Sequence, residues 1–216
     1  MNRQTTIAGG LARRQIVVAH GICVNLHAGL ISLLLISSCA TVAQSDGQVA
    51  SLSAASHLRL IDRLDRPQDG YCIDVLGTNN NLRLNLPVFA HNCKTTLTSD
   101  SAVVFDSTGQ ITLPAAPAAN RCLTVAGVNG AALPGAAVML RRCGEAVAYF
   151  DASDLQRFSH RNDGLLELKG SGLCLTVGAQ SATTYSSQDR WRTLFVDECR
   201  RVVPAHSHWE FVKPGS

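Results

Sequence analysis

The chain has very few lysines: Lys94, Lys169 and Lys213 are all it carries. Proteins that bind phosphate backbones do so through clustered Lys and Arg, so this scarcity argues against a nucleic-acid partner. Acid is missing at one end: nothing acidic precedes Asp46, while Arg3, Arg13 and Arg14 all lie there. Beyond Cys39 the remaining 16 basic residues (19 less those three) face 16 acidic ones, which leaves that part near neutral. No Gly-x-Ser-x-Gly elbow, HExxH helix or P-loop occurs, and no catalytic domain fits in the rest of the chain. No two cysteines form a C-x-x-C knuckle, so a structural zinc site is not expected. The stretch Ala28 to Ile36 is apolar but falls short of the roughly 20 residues of a membrane span. Helix signals are few. Short apolar or alternating runs broken by Gly, Asn, Pro and Asp predict an all-β domain.

What is present is a rhythm of cysteines. Tyr71-Cys72-Ile73-Asp74-Val75 closes at Cys93, Arg121-Cys122-Leu123-Thr124-Val125 at Cys143, and Leu173-Cys174-Leu175-Thr176-Val177 at Cys199. The openings lie 50 and 52 residues apart, with gaps of 21, 21 and 25 inside the pairs. A fixed period of this kind means one supersecondary unit used three times. Six cysteines allow 15 pairings, counted combinatorially. A repeated unit should close its own loop each time, giving Cys72–Cys93, Cys122–Cys143 and Cys174–Cys199.

Cys23 and Cys39 stand in a different setting. The positive residues, the apolar run and Ser37-Ser38-Cys39 have the layout of an export signal over residues 1–38. Leu35-Ile36-Ser37-Ser38-Cys39 resembles the bacterial lipobox, which implies lipidation of Cys39 and a lipid anchor to an outer membrane or cell surface. Cleavage after Ala43 without lipidation is the alternative. Residues 40–56, rich in Ala, Ser, Gln, Gly and Thr, read as a flexible tether, and 57–216 as one domain. Export to an oxidising compartment suits a disulfide framework.

A second layer of repetition runs beneath the cysteines. Leu58-Arg59-Leu60-Ile61, Gln110-Ile111-Thr112-Leu113 and Leu165-Leu166-Glu167-Leu168 precede the openings. Val88-Phe89-Ala90, Val138-Met139-Leu140 and Leu194-Phe195-Val196 precede the closings, and Phe105, Phe158 and Trp209 follow them. Four strands in each of three units predict a β-trefoil with three disulfide-stapled repeats, in which those three aromatics meet on the central axis.

This arrangement resembles the ricin B-chain type lectin domain, which repeats C-L-D-V, V-Q-L-W-x-C and Q-x-W motifs. Cys72-Ile73-Asp74-Val75 is the best copy of the first motif, and Gln156-Arg157-Phe158 of the third. The resemblance implies non-catalytic carbohydrate binding, with a motif acid and an aromatic ring near the second cysteine holding the sugar. Only the first unit keeps the acid, so the candidate site is Asp74, His91 and Asn92. Thr124 and Arg141, and Thr176 and Asp197, stand at the matching places in the other units, where the pockets read as eroded. Ricin-like trefoils of this eroded kind also look like the receptor-binding A and C subunits of cytolethal distending toxins, which would imply protein partners in an assembly.

The remaining candidates read as structural. Tyr185 and Trp191 in the longer third unit are candidates for an aromatic contact surface, though a solvent loop pinned by a buried Trp191 is the expectation. His206 and His208 should alternate on one strand face without completing a metal site. Glu145, Asp151 and Asp154 should be solvated rather than form an acid-base pair. No cofactor and no catalytic residue are expected.

Overall fold

The computed structural model of the chain describes residues 54–213, apart from 116, 117, 119 and 149. The expected leader, Cys23, the Cys39 lipidation site and nearly all of the tether lie outside the described residues. The first repeat folds as β1 (His57–Leu60), β2 (Tyr71–Asp74), β3 (Phe89–Asn92) and β4 (Val104–Phe105). The second is β5 (Ile111–Leu113), β6 (Arg121–Val125), β7 (Val138–Arg142) and β8 (Phe158–His160). The third is β9 (Leu166–Leu168), β10 (Leu173–Val177), β11 (Arg190–Glu198) and β12 (Trp209–Val212).

Within every repeat the first strand pairs with the second and the second with the third, always antiparallel. The fourth strand crosses over to the first strand of the next repeat, as β4–β5 and β8–β9. The pairing of β12 with β1 then joins the last repeat to the first and closes the ring. As a result the first strand of every repeat is paired on both sides. The first strands show why the pattern folds this way. Leu58 and Leu60, Ile111 and Leu113, and Leu166 and Leu168 are buried, while Arg59, Thr112 and Glu167 between them are only partly so. This is the two-residue period of a strand with one face on a core.

The three disulfides form as expected: Cys72–Cys93, Cys122–Cys143 and Cys174–Cys199. The half-cystines occupy equivalent places, with Cys72 opposite Arg59, Cys122 opposite Thr112 and Cys174 opposite Glu167. Each closing cysteine donates its N–H to the residue two before the opening one: Cys93 to Gly70 (3.2 Å), Cys143 to Asn120 (3.1 Å) and Cys199 to Gly172 (2.9 Å). Those acceptors have φ of 69°, 64° and 71°, a left-handed turn that Gly and Asn tolerate best. Cross-linking a loop of this length contributes about 3 kcal/mol in the chain-entropy account.

Backbone pairing is already present just before β1. Ser56 exchanges both backbone hydrogen bonds with Val103, each 2.9 Å. That pairing corrects one expectation about the axis. The N–H of Phe158 bonds Gly109 O and that of Trp209 bonds Gly164 O, both at 2.7 Å, and Val103 to Ser56 is the matching bond. Val103, not Phe105, is therefore the first repeat's counterpart of buried Phe158 and Trp209. Phe105 lies two residues further on and is only partly buried. It stacks on Phe211 at 5.0 Å, and His160 meets Phe211 edge-on at 5.5 Å. Side-chain size pointed to Phe105, whereas backbone register assigns the axis to a smaller valine.

The same register aligns three buried polar residues two positions earlier: Ser101, Gln156 and Ser207. Gln156 is fully buried and satisfied on both ends of its amide. Its Nε2 donates to Thr124 Oγ1 (3.0 Å) and Arg142 O (2.8 Å), and its Oε1 accepts from Gly144 N–H (2.8 Å). Ser101 Oγ bonds Thr98 Oγ1 at 2.8 Å, and Ser207 Oγ donates to Val203 O at 2.8 Å. These side chains tie the turn before the fourth strand to its own repeat.

The third repeat departs from symmetry. Strand β11 is nine residues long; its C-terminal part pairs with β10, and its start pairs with β3 of the first repeat. A short strand, Ala182–Thr183, folds back on Trp191 and Arg190. The junction is held by Arg192, which is 5% exposed. Its guanidinium reaches Asp65 (2.6 Å) and the carbonyls of Gly178 and Ala179 (both 2.7 Å), and it lies over the Tyr71 ring at 4.9 Å. Asp65 also accepts from Tyr71 OH, Ser181 and Arg190. Burial would raise the Asp65 carboxyl, yet these donors, led by Arg192, hold it well below the usual carboxylate range.

The sequence predicts that His206 and His208 alternate along a strand, and the structure shows that they do not. Pro204 begins a short helix, Pro204–Ser207, because its fixed φ suits a first helical position. His206 sits in that turn, and His208 follows it in an isolated bridge to Leu165.

Two outcomes are expected. Gln156→Ala strands the buried Thr124 hydroxyl and removes the amide's bonds to Arg142 O and Gly144 N–H, and should cost roughly 3 kcal/mol in denaturant unfolding with the disulfides intact. Asp65→Asn should cost about 2 kcal/mol at neutral pH by weakening the bonds to buried Arg192. Because the native Asp65 pKa lies below the ordinary aspartate value of 3.8, its contribution is present above that value and fades as pH falls beneath it. The variant's melting temperature should therefore approach wild type in acid.

Candidate functional site

Strands β2 and β3 pair with Asp74 opposite Phe89 and Cys72 opposite His91. Alternation then puts Asp74, Phe89 and His91 on one face, away from core-facing Ile73 and Ala90. The start of β11 adds Trp191 directly opposite His91. Phe89 meets both rings edge-on, His91 at 6.0 Å and Trp191 at 6.1 Å. Trp191 is half-buried rather than buried, while Tyr185 beyond it is 92% exposed.

Asp74 and His91 open into a cleft of about 790 Å³ whose walls include Asn81, Arg83 and Lys94. Thr184 and Tyr185 of the third repeat also line it. Asn92 does not. It lies on the opposite face of β3, and its Oδ1 accepts the Arg190 N–H at 3.3 Å. Of the three residues singled out from sequence, two share the cleft and the third anchors the incoming strand.

The acid is not a free acceptor. Lys94 Nζ lies 2.8 Å from Asp74 and 2.6 Å from Asp100, so one ammonium is shared by two buried carboxylates. Burial pushes Asp74 up to about 7, the pull of Lys94 opposes this, and the Asp100 charge reinforces it. Burial alone would lower Lys94, but the paired carboxylates hold it above its ordinary value. Burial, followed by the Lys94 charge, lowers His91, leaving a neutral ring that can donate from one nitrogen and accept at the other. His57, also buried, is lowered for the same two reasons in the same order. Asp100 Oδ1 and His91 Nδ1 are buried without a hydrogen-bond partner.

Such a site combines a carboxyl poised between its two forms, a fixed ammonium and a neutral imidazole, beside an exposed phenol. These groups offer donors and acceptors to a polyhydroxylated ligand, and the rings offer surface to its C–H faces. Sequence reasoning missed Lys94, Asp100 and the placement of Tyr185 here. Lys94 directly follows Cys93 and is one of only three lysines, which was the available signal.

The equivalent places in the other repeats are used internally. Thr124 Oγ1 donates to Cys122 O (2.9 Å) and accepts from Gln156, and Thr176 Oγ1 donates to His206 O (3.1 Å). Asp197 accepts from the Glu198 N–H at 2.8 Å. Arg141 pairs with Glu145 (2.9 Å) and covers the Phe150 ring at 4.7 Å, so Glu145 is bound in an ion pair rather than merely solvated. Asp151 accepts from its neighbour Ser153. Among the described residues no three His, Cys, Asp or Glu side chains are placed to hold a metal ion.

Comparison with known proteins agrees with this architecture. A search of curated protein sequences finds no match. Among solved structures, the agglutinin from Abrus precatorius is 24% identical, with a TM-score of 0.47 over 73% of this chain. This chain spans about half of that one, 48%. The Vibrio vulnificus hemolysin/cytolysin β-trefoil lectin, solved with N-acetyl-D-lactosamine bound, is 15% identical. That match covers 76% of this chain and 96% of the other, with a TM-score of 0.45. The model of the ricin-type β-trefoil lectin domain matches residues 62–200, more than half of the sequence, and the chain belongs to that family.

Proposed function

We propose that the protein binds carbohydrate without catalysis, through a single cleft on the first repeat, as an exported protein anchored by lipid at Cys39. The observation that carries the reading is the contrast among repeats. Only the first has an acid at the motif position, and that acid opens into a cleft with His91, Lys94 and Tyr185. The threonines that replace it elsewhere spend their hydroxyls on the fold. The cleft's volume of about 790 Å³ suits a small saccharide.

In this reading the sugar's vicinal hydroxyls bond Asp74 and Lys94, and the neutral His91 ring supplies a further donor or acceptor. Tyr185 gives an apolar face for the pyranose C–H surface from across the repeat boundary. The site is degenerate in that it lacks the broad ring expected near the closing cysteine and has a histidine there instead. Sugar affinity should be modest, since much of the acid's hydrogen-bonding capacity is committed to Lys94.

A glycan-array screen of the purified protein tests this directly. Wild type should bind a defined set of glycans, Asp74→Asn should weaken that binding 10- to 100-fold, the loss of one charge-assisted bond, and Tyr185→Ala should weaken it about five-fold. Binding unchanged by both variants would reject the cleft as the site.

The pH dependence has a distinctive sign. Asp74 sits near 7, so acidification from pH 8 to pH 6 removes its charge and should weaken binding. Its folded value is raised above 3.8, so its contribution to stability is full below that pH and is lost as pH rises through about 7. Titration calorimetry and thermal melts across this range should therefore move in opposite directions in wild type. Asp74→Asn should show neither trend.

A further inference from the structure

A second cleft of about 670 Å³ adjoins the first, and the two share Leu76, Phe89 and Thr184 as common wall. Its character is different. Leu86, Pro87, Trp191, Leu194 and Phe195 line it, and no charged side chain does. All three repeats meet there: Leu76 to Phe89 come from the first, Gly135 and Ala137 from the second, and Thr183 to Phe195 from the third. Backbone bonds hold that junction, with Val88 N–H donating to Val138 O at 2.8 Å and Gly135 N–H to Val196 O at 2.7 Å. Leu76 and Leu86, 36% and 40% exposed, leave large apolar side chains open to water at its edge. Among the side chains lining it, the polar groups are the hydroxyls of Thr183, Thr184 and Thr193 and the indole N–H of Trp191.

We propose that this apolar cleft holds the hydrocarbon aglycone of a glycoconjugate whose sugar occupies the Asp74 cleft, so the true ligand is an amphiphile such as a glycolipid. The inference rests on the carbohydrate-binding reading above and extends it to the ligand's other half. The chemistry of the walls chooses the occupant. A second sugar would leave most of its hydroxyls without partners among leucine, proline and aromatic side chains, a cost each group bears in full. An alkyl chain or ceramide-like tail loses nothing there and removes exposed leucine from water. Leu76, Phe89 and Thr184 line both clefts, so the apolar space adjoins the polar one as a hydrocarbon tail adjoins the sugar that carries it.

The test compares matched pairs of methyl and octyl glycosides of galactose, glucose and N-acetylglucosamine. Titration calorimetry is run on the intact purified protein below the micelle concentration of each octyl glycoside. For whichever sugar binds as the methyl glycoside, the octyl form should bind at least ten-fold tighter. Leu86→Glu, at the exposed edge and away from the disulfides, should abolish that gain while leaving methyl glycoside binding intact. Pro87→Glu, exposed and lining the apolar cleft alone, serves as a second variant should the first fail to fold. Equal affinity of methyl and octyl forms overturns the inference and leaves the carbohydrate reading standing. Binding of octyl glycosides and octyl sulfate alike, with no methyl glycoside bound, overturns both.

Discussion

A four-strand unit of this size cannot bury its own apolar face, and that constraint organises the whole domain. Leu58 and Leu60, Ile111 and Leu113, and Leu166 and Leu168 each offer one short hydrophobic row, too little for a core by itself. Placing three units around one axis lets the rows bury each other, and the β12–β1 pairing makes the arrangement closed. The disulfides act inside units rather than between them, so each one restrains its own hairpin. The buried amide of Gln156 and its serine counterparts do the same for the turn before each fourth strand.

Symmetry solves the packing problem, and the departure from symmetry makes the site. The third repeat carries four more residues between its cysteines, 25 against 21. That extra chain lets β11 extend until its start adds to β3 of the first repeat, carrying Trp191 to His91. The extension crosses a repeat boundary, so it needs its own anchor, and the Asp65–Arg192 cluster supplies it. Tyr185 and Thr184 then line a cleft whose acid belongs to another unit. One insertion thereby does for the first repeat what the second and third repeats lack.

The cysteine rhythm and the two-residue alternation made the fold legible, because both are local and both repeat. The places where reading failed are those where tertiary register decides. Phe105 was chosen for the axis by size, although Val103 lies ten residues after Cys93 (103 − 93) just as Trp209 lies ten after Cys199 (209 − 199). In the second repeat the same interval is fifteen residues, which hid the regularity. Asp74 and His91 could be placed on one face from strand period alone, and Asn92 falls on the other face by the same rule. Lys94 and Asp100 could not be joined to them from sequence, since the intervening loop carries no periodic signal that fixes where each side chain ends. His206 failed for a local reason: Pro204 begins a helical turn where an alternating strand had been expected.

In the proposed reading, the three motif positions trade stability against binding. A threonine there donates and accepts within its own repeat, as Thr124 does with Cys122 O and Gln156, and asks nothing of a ligand. A buried aspartate cannot do this. It must keep a counter-charge close or give up its own charge, and here Lys94 is divided between Asp74 and Asp100. One cation for two carboxylates leaves the site short of positive charge, and Asp100 Oδ1 remains buried without a hydrogen bond. A fold selected only for stability would replace such a cluster with apolar residues, since buried charge is weak support for folding. In the proposed reading, its presence in one repeat, with the self-satisfied threonine in the others, is the pattern of a cluster kept for what enters the cleft.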